Sequence, residues 1–283
     1  MFDWEDLRHF CAFVREGSLS AAARTLGVDH ATVGRRISSL EASLDLKLID
    51  RRPRAFVLTE EGLRVGEMAE QMNASSFALE RYADSGQQRV EGEVVLSAPP
   101  AFLGSLIARH IGALYKRHPQ LRLTLVGTKA RASLARREAD ITIGLTRPTE
   151  PTLVTSLLGR LDFSLYASPD FLRSGAAQVF IGYDKTQSRS PQQRWLLNHA
   201  QGRDFVLHSN DLRIQALAAA GGAGIVCLPA FMAEEYGLEP VAMDTEALSL
   251  DIWLTVHEDV RDTPRIKAVT EFITQRVAPI YRM

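Results

Sequence analysis

The apolar residues of this 283-residue chain follow two regimes. Over roughly the first 90 residues they recur at helical spacing, and beyond that short apolar runs alternate with helical stretches. From Trp4 to Glu16, Leu7, Phe10, Cys11 and Val14 form one stripe, and Gly17 stops the helix. Ser18 is placed to cap a short, alanine-rich helix that Gly27 closes. Asp29 caps a third helix running to Leu44, with Val33, Ile37, Leu40 and Leu44 on its core face. The opposite face carries Ala31, Arg35, Ser38 and Ala42, with His30, Thr32 and Gly34 beside it at the N-terminal end. A helix with small outer side chains can sink into a major groove, where Arg35 and Arg36 would reach phosphates or a guanine edge. An ordinary amphipathic helix with a solvated face is the competing reading, and the flanking sequence decides between them. Two short helices joined by a tight turn containing glycine form a helix-turn-helix.

After Leu44, Pro53 forbids helix and Arg51, Arg52 and Arg54 crowd a loop between two strand-like pieces. That has the build of a wing, which places cations against the backbone or in the minor groove. A basic loop with no partner is the alternative. Thr59 then caps a long helix to about Arg89. Val65, Met72 and Leu79 repeat every seven residues, with Met68, Ser75 and Tyr82 offset by three. This heptad seam suits pairing with a second helix, against the alternative of packing on its own domain. The polar stretch Gly86–Gly92 marks a boundary, giving a DNA-binding domain over 1–60, a linker and dimerisation helix over 61–90, and a third region over 91–283.

That third region alternates. EVVLS, LRLTLV, DITIGL, the long SLLGRLDFSLYAS, QVFIGY, DFVLHS, GIVCLP and SLDIWLTVHE read as strands. Helices are predicted over about 101–117 and 129–138, after Pro169, at QQRWLLNHA and DLRIQALAAA, and at a closing segment bearing Ile266, Val269, Ile273, Val277 and Ile280. The alternation predicts an α/β fold with helices on largely parallel sheets. The repeat of the pattern before and after about Leu161 predicts two lobes, 91–161 with 265–283 and 162–264, with a cleft between.

Composition removes several function classes. The 33 Lys and Arg against 34 Asp and Glu leave no overall pull towards nucleic acid or membrane, so any DNA-binding field must be local. Residues 1–60 carry nine of each sign, yet Arg35, Arg36, Lys47, Arg51, Arg52 and Arg54 fall in the half that would meet DNA. Asp3, Glu5 and Asp6 argue against a basic leader, and no apolar run reaches membrane-spanning length. The expected location is cytoplasmic. Cys11 and Cys227 both lie on apolar stretches and read as buried rather than reactive. His110 and His118 lack partners at ligand spacing, and a charged rim explains Asp251, His257, Glu258 and Asp259, so neither a metal nor another cofactor is expected. The glycine-rich Ala220–Gly224 follows a helix and precedes a strand, which makes it a connector rather than a phosphate cradle.

The stretch LRHFCAFVREGSLSAAARTLGVDHATVGRRISSLEASLDLKLIDRRPRAFVLTEEG resembles the N-terminal signature of LysR-type transcriptional regulators. The likeness rests on GSLSAAA, the R-x-I-x-x-LE core of the third helix, the approach to the wing and LT-x-x-G. It continues through GTKARASLARREADITIGL, SPDFL and AAGGAGIVCLP. Gly34 stands where the family usually has Ser, and Ile49 where it usually has Phe. The resemblance implies an all-α winged helix-turn-helix, a dimerising linker helix, and a two-lobed effector-binding domain like the periplasmic solute-binding proteins. It implies double-stranded promoter or operator DNA, a small-molecule effector and a second copy of the chain as partners, in a homodimer or homotetramer. RNA polymerase is a further candidate partner.

The cleft should be lined by loops at the carboxyl ends of strands. These give Ser97, Ala98, Pro99, Pro100, Thr128, Thr146 and Arg147 in the first lobe and Ser209, Asn210 and Pro229 in the second. Trp195 and Tyr183 are aromatic candidates for the same cleft. Helix N-termini facing one cavity favour an anion, and Arg147 would add a charge-assisted bond, so a carboxylate-bearing effector is expected. The alternative is that Ser97 and Thr128 only cap helices and Arg147 is solvated. No nucleophile–base set converges, so an enzyme is not expected. A regulator without a ligand, or a solute-binding or scaffold protein, remains the competing class.

Overall fold

The computed structural model describes every residue except 53–54, 86–88, 129–132, 135–137, 243–245 and 282–283, with backbone alone described for 51, 52, 55, 73, 74, 77–85 and 277–281. It divides into two compact units, Met1–Arg81 and Tyr82–Met283.

The first unit holds α1 (Trp4–Glu16), α2 (Leu19–Leu26), α3 (His30–Leu44), the antiparallel pair β1 (Ile49–Arg52) and β2 (Ala55–Leu58), and α4 (Glu60–Ser85). Each helix starts where a side chain satisfies a first-turn N–H. The acceptors are Asp3 for Glu5, Ser18 for Ala21, Asp29 for Thr32 and Thr59 for Gly62. Gly17 (φ 71°) and Gly27 (φ 68°) take the left-handed conformation that ends α1 and α2. Leu7, Phe10, Phe13, Ala22, Val33, Ile37, Leu40 and Leu48 close the core, with Val14, Leu44 and Val65 packed at its edge. The Glu41 carboxylate accepts from the N–H groups of Leu48 (2.8 Å) and Ile49 (3.0 Å), fastening the start of β1 to the end of α3.

The second unit is a mixed sheet in the order β4-β3-β5-β11-β6-β9-β7-β8, with β10 paired to β6. Its first-lobe strands are β3 (Gly92–Ala98), β4 (Leu121–Gly127) and β5 (Ile141–Gly144). The second-lobe strands are β7 (Phe180–Gly182), β8 (Phe205–His208), β9 (Ile225–Pro229) and β10 (Glu239–Pro240). Within each lobe the β3–β4, β3–β5, β7–β8 and β7–β9 pairs are parallel, as expected from the alternation. The expectation of a largely parallel sheet fails at the middle. The long strands β6 (Leu153–Ala167) and β11 (Leu248–His257) run antiparallel to each other and to their neighbours. They carry the chain from one lobe to the other and back, so each must enter its sheet from the opposite end.

Helices cover the sheet: α5 (Pro100–Phe102), α6 (Ile111–Arg117), α7 (Pro169–Arg173), α8 (Pro191–Ala200), α9 (Leu212–Ala220), α10 (Ala230–Glu235) and α11 (Pro264–Tyr281). The single helix expected over 101–117 is interrupted by a π-turn at Leu103–Ile107 and a 3-10 turn at Ala108–His110. The helix expected over 129–138 falls mostly outside the described residues. On α11, Ile266, Val269 and Ile273 are buried as the pattern requires, while the side chains of Val277 and Ile280 lie outside the description.

Candidate nucleic-acid interface and ligand cavity

The α3 N-terminus is built around its cap. Asp29 accepts from the Thr32 N–H (2.8 Å) and from the Thr32 hydroxyl (3.0 Å), and Arg35 Nη2 donates to that hydroxyl (3.3 Å). The N–H of Thr32 is the largest of several influences that hold the Asp29 carboxyl below its usual range. His30, Ala31 and Arg35 are exposed, and Thr32, Gly34 and Ser38 are half-exposed, so the outer face is small and open. The Ser38 hydroxyl donates to the Gly34 carbonyl (3.1 Å).

Arg36 is engaged elsewhere. Its Nη1 lies 3.0 Å from the buried Asp6 carboxylate and 3.4 Å from Asp3, both from the α1 side of the unit. The hydrogen bond with Asp6 chiefly holds the guanidinium above its ordinary value. Arg51 and Arg52 lie on β1 with side chains outside the description, and Arg54 is not among the described residues. On α4, Met68 (63% exposed) and Met72 (39%) face outward, but Val65 leans on the core of its own unit. The side chains of Leu79 and Tyr82 are not described.

In the second unit, a cavity of about 340 Å³ opens between the lobes. Ser97, Ala98, Pro99, Thr128, Thr146 and Pro229 line it. Pro100 and Asn210 border a smaller hollow of about 50 Å³ that shares Pro99, Tyr183 and Leu212 with the first. Arg147 and Ser209 line neither. The Arg147 guanidinium sits 5.0 Å over the Trp253 ring. Ser209 turns inward to its own loop, accepting from the Asp211 N–H (3.1 Å) at its hydroxyl and from Gln215 Nε2 (2.7 Å) at its carbonyl. Trp195 stacks on His199 (3.9 Å between centroids) and does not line the cavity, whereas Tyr183 does. Burial raises the Tyr183 phenol, which therefore stays protonated.

Sequence reasoning missed Thr142, Gln187, Ser190, Gln192 and Thr255, all of which line the cavity. A signal existed for two of them: Thr142 and Thr255 interrupt otherwise apolar strands, Ile-Thr-Ile and Leu-Thr-Val. Among the described lining residues none carries a charge. Beside the cavity, Glu235 at the end of α10 accepts from the Ser105 hydroxyl (2.7 Å) and lies 3.1 Å from Arg109, both on the interrupted first-lobe helix. Arg213 approaches Glu235 to 3.7 Å, and its guanidinium passes against Gly104 in the π-turn.

Cys227 is buried and its thiol is pushed up to about 12. Among the described residues no group of three His, Cys, Asp or Glu could hold a metal, and no helix is long and apolar enough to cross a membrane.

A winged helix-turn-helix unit followed by a two-lobed α/β unit with a cavity between its lobes defines a class: DNA-binding regulators that carry a small-molecule domain. Residues 4–63 match the bacterial regulatory helix-turn-helix of the LysR family, and residues 87–278 match the LysR substrate binding domain. The chain belongs to the LysR family and is a DNA-binding transcriptional regulator with an effector-binding domain. It is 28% identical over 281 residues, 95% of each chain, to the mau operon transcriptional activator of Paracoccus denitrificans. It is 25% identical over 243 residues, 81% of this chain and 80% of the relative, to the regulator CrgA of Neisseria meningitidis. Its fold is similar to full-length AphB of Vibrio cholerae (TM-score 0.62, 20% identity, 98% and 100% of the two chains). It is likewise similar to the CrgA structure (TM-score 0.58, 23% identity, 98% and 99%).

Proposed function

We propose that this regulator binds promoter DNA as a homo-oligomer in the cytoplasm, and that a small effector in the interlobe cavity modulates that binding. The reading of the DNA contact rests on the open outer face of α3. His30, Ala31, Thr32, Gly34, Arg35 and Ser38 would meet the major groove, with Arg51, Arg52 and Arg54 of the wing on the backbone. Arg36 is assigned instead to holding α3 on α1, because Asp3 and Asp6 already take its charge. Met68 and Met72 are the described part of a pairing seam on α4. Val65, half-buried against the edge of its own unit's core, offers the seam only the part it leaves exposed.

The observation that carries the effector reading is the cavity itself. Its 340 Å³ sits at the small end of the range for ligand pockets. The carboxylate expected from the sequence loses Arg147 as a partner, and the described lining offers hydroxyls, the side-chain amides of Gln187 and Gln192 and backbone groups. A buried charge without a counter-charge is costly, so we propose an effector with at most one acid group, met by Ser97 and Thr128. A thermal-shift screen of matched acids and their amides tests this. A ligand at a hundredfold over its Kd stabilises by about 2.7 kcal/mol, which raises Tm by roughly 5–10 °C. Monocarboxylates are expected to outrank dicarboxylates, and preference for the dicarboxylates would contradict the reading.

A further inference from the structure

The cavity floor carries a row of hydroxyls set by strand register. Ser97 on β3 is paired with Thr142 on β5, and Thr142 with Thr255 on β11. Paired residues on neighbouring strands share a sheet face about 5 Å apart, so the three hydroxyls form a ladder across the floor. All three side chains are deeply buried, at 2%, 6% and 1% exposure, and Gln192 from the second lobe is 7% exposed. All four line the cavity, and none of their side chains has a hydrogen-bond partner among the described residues.

Buried polar side chains are almost always hydrogen-bonded, and a hydroxyl inside an apolar strand is costly unless a partner meets it. Here the partner comes from within the cavity, water when it is unliganded and a ligand when one binds. Hydroxyls and a primary amide both donate and accept, which matches a ligand hydroxyl. Apolar side chains make up much of the remaining lining, with Phe102, Phe163 and Phe231 among them. Such walls suit a ring.

We propose that the effector is a small hydroxylated ring compound, its hydroxyl groups lying on the Ser97–Thr142–Thr255 ladder and facing Gln192. The proposal rests on the reading that the cavity is the effector site.

Calorimetric titration of the full chain with four probes tests it: toluene, benzoate, catechol and 3,4-dihydroxybenzoate. The two hydroxylated probes are expected to bind at least ~10-fold more tightly than their counterparts without hydroxyls. Thr142→Val and Thr255→Val keep the side-chain shape, and each is expected to remove that advantage while leaving benzoate unchanged. Thr142→Ser, which keeps the hydroxyl, is expected to restore it. Equal binding of benzoate and 3,4-dihydroxybenzoate, an unaltered preference in Thr142→Val, or silence from both hydroxylated probes overturns the proposal.

The underlying reading is tested separately by Gly144→Phe. Gly144 lines the cavity, and a Cβ there meets nothing within 4 Å, so the backbone accepts a side chain at this position. A promoter response to effector that survives Gly144→Phe removes the cavity as the effector site. A response lost in Gly144→Phe but kept in Thr142→Val removes only the hydroxylated ring.

Discussion

Gly62 shows how one residue fixes the geometry of the N-terminal unit. It stands in the first turn of α4, and a Cβ on it would run into the backbone carbonyl oxygen of Leu48. The close approach brings the start of α4 onto the start of β1, where Thr59 Oγ1 also donates to the Lys47 carbonyl (2.6 Å). The glycine of LT-x-x-G is therefore a packing requirement. Gly62→Ala is expected to cost about 1–3 kcal/mol by overpacking against a rigid neighbour, read as a lower denaturation midpoint. Asp29 gives a pH signature. Its folded carboxyl titrates below the ordinary value, so its cap contribution is complete above that value and lost as pH falls through the lowered one. Asp29→Asn keeps an acceptor but cannot titrate. Its stability is expected to fall less steeply on acidification than that of the unsubstituted chain, as followed by circular dichroism. Burial keeps Cys227 a thiol at neutral pH, so native protein is expected to resist thiol alkylation at that residue.

At the scale of elements, the helices of the N-terminal unit were legible because period and cap agree. Ser18, Asp29 and Thr59 each precede an apolar stripe and each accepts from a first-turn N–H. α10 was not legible: it has six residues, follows Pro229 and has no side-chain cap. The strands of the second unit could be placed, but not the direction of β6 and β11, since local sequence does not state which edge a crossing strand joins. The cavity was half legible for the same reason. Ser97, Thr128 and Pro229 follow from strand ends, whereas Thr142 and Thr255 converge only through register. Arg147 was misplaced because a half-buried aromatic, Trp253, competes for its guanidinium. The π-turn over Leu103–Ile107 has a visible consequence, since Ser105 within it and Arg109 just beyond it both reach Glu235 on α10. This contact bridges the two lobes beside the cavity. A double-mutant cycle of Ser105→Ala and Glu235→Gln is expected to give a coupling of about 1–2 kcal/mol, and a coupling near zero would remove the contact as a link between lobes.

At the scale of the whole molecule, a near-neutral chain must bind DNA through a local field. Among the described side chains Arg35 is exposed on the outer face of α3, whereas Arg36 is already paired with Asp3 and Asp6. Arg35 and Arg36 are neighbours in sequence yet are assigned opposite work, one to DNA and one to the fold. The pair therefore offers the sharpest test. The measurement is a footprint and anisotropy titration on DNA upstream of the protein's own coding region, with thermal melts of each variant in parallel. Arg35→Ala is expected to lose the footprint with its melting temperature unchanged and its salt dependence shallower, by about 0.9 in log–log slope for each phosphate contact removed. Arg36→Ala is expected to lower the melting temperature of the N-terminal unit, because Asp6 is left buried and unpaired. An intact footprint in Arg35→Ala would contradict the assignment of α3 as the recognition helix.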